Sequence, residues 1–125
     1  MTGSRPRFKF GPTLRLRRAW EFQRLRQTGR RLARHGLVLN WRPREDASHS
    51  RLGVVTGRKL GSAVERSRVR RHLREAFRRL QPFIRPPSDI VLVARPSLRD
   101  LPGKVIQARV ERLLREAGLL ADAGR

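Results

Sequence analysis

Residues 57–79 read GRKLGSAVERSRVRRHLREAFRR, and the fold turns on how this stretch is divided. Ser62 and Glu65 make an S-x-x-E capping box, in which each side chain satisfies a backbone N–H of the other, so the spacing predicts a helix starting just after Ser62. Val69, Leu73, Ala76, Phe77 and Leu80 then fall at offsets 0, 4, 7, 8 and 11. On a 100° wheel these make one apolar stripe, which must pack on a sheet. Arg66, Arg70, Arg74 and Arg78 step by four along its flank, and Ser67 and Arg71 join them on the outer face. Arg58, Lys59, Arg66, Arg68, Arg70, Arg71, Arg74, Arg78 and Arg79 place nine cations in these 23 residues, against only Glu65 and Glu75. Like charges one turn apart destabilise an isolated helix by a few tenths of a kcal/mol per pair. A bound polyanion removes that cost, so the outer face reads as a phosphate-binding ridge. Five such arginines, each on one phosphate, would give log K against log salt a slope of ~−3.5 on single strands or ~−4.5 on duplex.

The whole chain repeats the pattern. It has 125 residues, 31 basic against 10 acidic, and a formal charge of +21. That length suits one domain with a modest core. Self-repulsion at this charge opposes folding, so a polyanion partner should stabilise the native state. Nucleic acid fits better than an anionic membrane, because apolar residues alternate or sit in short runs. Lys9, Lys59 and Lys104 are the only lysines, leaving 28 arginines. Arginine forks onto phosphate and stacks on bases, which suits RNA, and a base-composition bias in the coding DNA would equally favour arginine over lysine. The chain has no cysteine, which excludes disulfides and thiolate metal sites and accords with a reducing cytoplasm. No apolar h-region follows the basic N-terminus, so no secretory signal is expected, and no run approaches membrane-spanning length.

Around the central helix the other elements fall into order. Residues 1–13 read as a basic arm, 14–118 as the domain and 119–125 as a tail. Residues 15–28 predict a helix stopped by Gly29, with Trp20, Phe22 and Leu25 as its apolar contacts. Residues 37–42, 51–56 and 89–95 predict strands, the last with the continuous apolar run of a buried strand. Residues 104–117 predict a final helix ended by Gly118. The order helix, strands, helix, strand, helix implies a single α+β or α/β sandwich. Gly57 and Gly61 flank Arg58-Lys59. They read equally as a turn aiming backbone N–H groups at phosphate or as an ordinary strand-to-helix connection. The Walker pattern is absent.

Protein-based catalysis finds little support. His35, His49 and His72 are scattered without metal-ligand spacing, and only Glu45 and Asp46 are adjacent carboxylates. A two-metal nuclease needs several converging carboxylates, and a histidine ribonuclease needs a positioned acid–base pair.

The residues from Gly53 to Glu75 resemble the signature of the bacterial ribonuclease P protein subunit. The matching positions are Gly53, Arg58, Lys59, Gly61, Ala63, Val64, Arg66, Arg70, Arg71, Arg74 and Glu75, continuing into Ala76-Phe77-Arg78. Flanking segments agree: Arg15-Leu16-Arg17-Arg18 with Glu21-Phe22, then Gly29, Leu37-Val38-Leu39, and Asp89 to Arg95. The resemblance spans residues 14–117. Departures are Ser67 where the family has asparagine, Gly57 where it has serine, and Arg26 and Asn40 where aromatics are common.

The resemblance implies an α+β fold, a mixed sheet packed with helices, similar to a domain of ribosomal protein S5, with a left-handed β-α-β crossover. It implies a protein subunit of the ribonucleoprotein that removes the 5′ leader from precursor tRNA. The chemistry then lies in the RNA subunit, with Mg²⁺ bound mainly by that RNA and the substrate. The implied partners are the catalytic RNA and the single-stranded leader, with neither DNA nor membrane, in the cytoplasm. Arg66, Ser67, Arg68, Arg70, Arg71 and Arg74 are expected to face the catalytic RNA. Phe22, Arg26, Asn40, Val54, Thr56, Arg58 and Lys59 are candidates for a leader cleft between the sheet and the first helix. A ribosomal-type or general RNA-binding module would use the same helix without a role in cleavage, and a protein-only ribonuclease would cut without an RNA subunit.

Overall fold

Ser62 Oγ accepts from Glu65 N at 3.1 Å, and Glu65 Oε1 accepts from Ser62 N at 2.8 Å, so the capping box forms as the spacing predicts. Gly61, at φ +154, leaves room for that carboxylate, since a Cβ there would collide with Glu65 Oε1. The computed structural model describes residues 15–45 and 47–121. Its elements are α1 (Ala19–Thr28), β1 (Arg30–Arg34), β2 (Leu37–Pro43), β3 (Arg51–Thr56), α2 (Ala63–Leu80), β4 (Ser88–Ala94) and α3 (Gly103–Glu116). Val69, Leu73, Ala76, Phe77 and Leu80 are the buried residues of α2, the predicted stripe.

The strands form one mixed sheet in the order β1-β2-β4-β3. β1 with β2 and β2 with β4 are antiparallel; β3 and β4 are parallel and joined through α2. Side-chain alternation divides the sheet into two faces. Leu37, Leu39, Trp41, Leu52, Ile90, Leu92 and Ala94 join the stripes of α2 and α3 in the main core. Val91 and Val93 point the other way and pack with Leu16, Phe22 and Leu25 beneath α1. β4 is therefore covered on both faces, which is why its sequence is an unbroken apolar run. This is the expected α+β single domain.

Two boundaries differ from the sequence reading for physical reasons. The first helix begins at Ala19, not Arg15, because Arg15 and Leu16 stay extended beside β3. Arg15 bridges Leu52 in parallel, and Leu16 N donates to Leu52 O at 2.9 Å. Glu21 Oε1 then accepts from the N–H groups of Arg17 and Arg18 at 3.0 and 3.1 Å, starting the helix. β1 is an element the sequence reading did not contain. Its residues, RRLAR, offer only Leu32 to the core, and Arg30 lies over the Trp41 ring at 5.8 Å from its centroid. An edge strand of exposed arginines carries no apolar alternation, and its charges protect it from pairing with another chain.

Ion pairs tie α1 to the sheet. Arg51 donates to Asp89 from Nε and Nη2 at 2.8 and 2.9 Å and meets Glu21 at 3.2 Å. Burial alone would raise the Glu21 pKa, but the Arg18 and Arg17 N–H groups and Arg51 outweigh it and hold the carboxyl below its ordinary value. At the other end Glu116 gathers His35 at 2.8 Å, Arg112 at 3.5 Å and Arg34 at 3.6 Å, fastening the β1–β2 turn to α3. Leu119 and Leu120, read in sequence as the start of the tail, are buried, and Leu120 forms an antiparallel bridge with Ile84. The basic arm, residues 1–13, lies outside the described residues. Among those described, no helix is long and apolar enough to cross a membrane.

Candidate RNA interface

The capped start of α2 sets which arginines face outward. Ser67 and Arg71 are exposed, and Arg66, Arg70 and Arg74 are half-buried on the flank toward β3. Arg70 Nη1 donates to Thr56 Oγ1 at 2.6 Å, and its Nη2 donates to Ser67 Oγ at 3.1 Å. Burial, then Arg15 and Arg70, push the Arg74 guanidinium below its ordinary pKa. Three guanidiniums thus crowd together where the N-terminal segment meets α2, and such crowding is relieved by phosphate. Arg15 belongs to this cluster although its motif position alone did not mark it as a site residue.

Arg68 lies elsewhere. It turns toward α3, donating to Arg99 O at 3.3 Å and Leu101 O at 2.7 Å. Those two carbonyl contacts, not its place on the helix wheel, turn the guanidinium away from Ser67 and Arg70. Val64, 79% exposed, provides an apolar spot beside Ser67 and Arg71, three and seven residues on.

On the opposite sheet face, α1 leaves a groove of about 530 Å³, lined by Ala19, Phe22, Arg26, Asn40, Val54, Val55, Val91 and Val93. Four sequence-predicted residues, Phe22, Arg26, Asn40 and Val54, come together there. Asn40 is only 6% exposed, a polar floor among valines. Val54 reaches the groove from its edge while packing against the main core; Val55, one residue on, points to the α1 side and is 38% exposed. Strand register decides between such neighbours, and hydrophobicity cannot, since both are valine. Thr56 is turned to α2 and bonded by Arg70, and Arg58 and Lys59 are exposed on a 3-10 turn beyond β3, so none of the three lines the groove.

The histidines have structural settings. His72 Nδ1 lies 3.3 Å from Gln107 Nε2, and its ring fills the space where Gly103 lacks a side chain. Among the described residues, no group of three or more His, Cys, Asp or Glu could hold a metal ion. The described side chains therefore do not make a protein cage for Mg²⁺.

The comparisons accord with this arrangement. The family model described as Ribonuclease P matches residues 10–118. The ribonuclease P protein component of Oceanobacillus iheyensis is 39% identical over 108 residues, covering 86% of this chain and 89% of that one. That of Chloroflexus aggregans is 44% identical over 108 residues, covering 85% and 78%. The solved RNase P protein of Staphylococcus aureus has a TM-score of 0.80 at 30% identity, over 86% of this chain and 98% of that one. The RNase P protein of Thermotoga maritima has a TM-score of 0.73 at 30% identity, over 82% and 96%. With a family model matching residues 10–118, and relatives and solved folds matching over most of their length, this chain belongs to the ribonuclease P protein component family.

Proposed function

We propose that this chain serves ribonuclease P, the 5′ processing of precursor tRNA, through two surfaces on opposite faces of its sheet. Ser67, Arg70, Arg71 and Arg74, with Arg15 and Arg66 beside them, dock the catalytic RNA by its phosphates. These contacts position the RNA without reading its sequence. The α1 groove holds the unpaired leader, with bases against Phe22, phosphate on Arg26, and Asn40 as the polar floor. Arg58 and Lys59 extend the cationic path past the end of β3. Arg68 serves as a tether between α2 and the segment before α3.

The chain supplies binding and orientation. Mg²⁺ held by the RNA subunit and the substrate would supply the hydrolytic chemistry, while this chain's arginines and the α1 groove bind and orient the RNA. The compartment is the cytoplasm, and the ligands are RNA.

The observation that carries this reading is the meeting of Phe22, Arg26 and Asn40, from two separate elements, in one groove away from the cation face of α2. The test compares affinity of the reconstituted holoenzyme for precursor tRNA with and without its leader. Tighter binding of the leader-bearing form, lost on Phe22→Ala, is expected. Equal affinity for both forms with the unaltered protein would reduce the chain to a general RNA-binding module.

A further inference from the structure

The C-terminal end of α2 carries a third surface that neither the cation face nor the α1 groove explains. A groove of about 580 Å³ opens there, between the 3-10 turn Gln81–Phe83 and the C-terminal half of α3. Leu80 and Leu120 of the main core reach into its lining. Phe83 stands on its wall with 66% of its surface exposed. A ring this open contributes little to the core and leaves a flat apolar face free at the edge of the recess.

The charges around the ring are mainly positive. Arg79, Arg85 and Arg115 share the lining with one carboxylate, Glu111. Glu111 is divided between Arg115 at 3.2 Å and Arg79 at 3.5 Å. Arg85 is held differently: Nη1 donates to the carbonyls of Pro82 at 3.0 Å and Ile84 at 2.9 Å. Two neutral acceptors fix the guanidinium in place without cancelling its charge. A flat apolar face beside preorganised guanidiniums is the chemistry that takes a base and a phosphate together. An acidic peptide would satisfy the cations but leave the ring uncovered.

We propose that this groove binds an unpaired nucleotide of the catalytic RNA, its base stacked on Phe83 and its phosphate on Arg85 and Arg79. The site lies at the far end of α2 from the capped N-terminus, 18 residues or about 27 Å along the helix. A second anchor at that distance fixes the direction in which α2 lies on the RNA, which one cluster of phosphate contacts does not. The inference rests on the RNA-docking role proposed for α2.

The experiment uses the full chain reconstituted with its catalytic RNA. A photoreactive benzoylphenylalanine placed at residue 83 should crosslink, on irradiation, to an unpaired nucleotide of that RNA. Crosslinking only within the protein, including to residues 122–125, would overturn the proposal, as would no crosslink. In parallel, Phe83→Leu should weaken RNA affinity about tenfold, the loss of one stacked base, and Phe83→Trp should retain it. Arg85→Gln should reduce the salt slope by ~0.7 to ~0.9. The Phe83 variants should melt at the parent's temperature, because the ring is exposed, while Arg85→Gln, which loses two carbonyl contacts, is read by its salt slope. If Arg70→Ala weakens RNA binding while the Phe83 and Arg85 variants do not, the groove assignment fails and the docking role of α2 stands. If Arg70→Ala also leaves binding unchanged, the docking role fails with it.

Discussion

The Phe22 ring lies directly over Gly53: a Cβ on Gly53 would come within 2.5 Å of Phe22 Cε1 and Cζ. The absence of a side chain on β3 thus lets α1 settle onto the sheet and sets the width of the groove proposed for the leader. Gly53→Ala is predicted to lift the ring. Precursor-tRNA affinity should fall about tenfold, matching Phe22→Ala, while affinity for mature tRNA is retained. Parallel titrations with both RNAs check this, and an equal loss for the two would remove Phe22 from the leader site. The same substitution should lower stability by about 1–3 kcal/mol through overpacking.

Arg70 and Arg74 crowd each other and Arg15, so removing both should relieve native-state repulsion while costing RNA contacts. Arg70→Ala with Arg74→Ala is predicted to weaken holoenzyme assembly and flatten its salt dependence by about 1.4 to 1.8 in slope. Affinity for the catalytic RNA measured across a salt series decides it; an unchanged slope would contradict phosphate contacts by these two residues.

Arg68 points toward the segment before α3 and is predicted to act there as a tether. Arg68→Met removes two carbonyl contacts to the segment before α3. Stability should fall by about 1–2 kcal/mol, because hydrogen bonds to a charged donor outweigh neutral ones. The salt slope of RNA binding should change far less than for Arg70→Ala with Arg74→Ala. Denaturant unfolding and salt titration of the same variant test both halves.

His72 makes the fold sensitive to acid. Burial first, then Arg71 and Arg68, push its pKa below 6.5, with Glu75 opposing. The neutral ring is therefore the form the fold favours, packed against Gly103 and facing Gln107. Below pH 6.5 the unfolded chain binds this proton first, so stability present above that value is lost as pH falls through the lower, folded pKa. Melting temperature followed from pH 7.5 to pH 5 should decline, and His72→Gln should flatten that part of the decline.

How much of this was legible in sequence depends on what carried the signal. α2 was read from local chemistry: the Ser62–Glu65 box and the stripe from Val69 to Leu80 are both local in sequence, and both formed. β4 was legible because burial on two faces leaves an unbroken apolar run. β1 was not, because an edge strand of arginines has no apolar period. The start of α1 was misplaced because Arg15 and Leu16 are held by Leu52, a partner more than thirty residues away that no local pattern shows. Phe22, Arg26 and Asn40 were assigned through family resemblance and lie in one groove. Thr56 was assigned the same way and lies turned to α2, since a motif fixes residue types but not the side of the sheet they take. Phe83 and Arg85 sit outside the motif, and only the folded position of α3 sets Glu111 and Arg115 opposite them to make a groove.

The central claim is that this protein positions RNA while the RNA subunit performs the cut. Cleavage of a leader-bearing precursor tRNA, followed at low salt and low Mg²⁺, tests it most directly. No cleavage is expected from the protein alone, little from the catalytic RNA alone, and restored 5′ processing when the two are combined. Cleavage by the isolated protein, or no gain on adding it to the RNA, would contradict it.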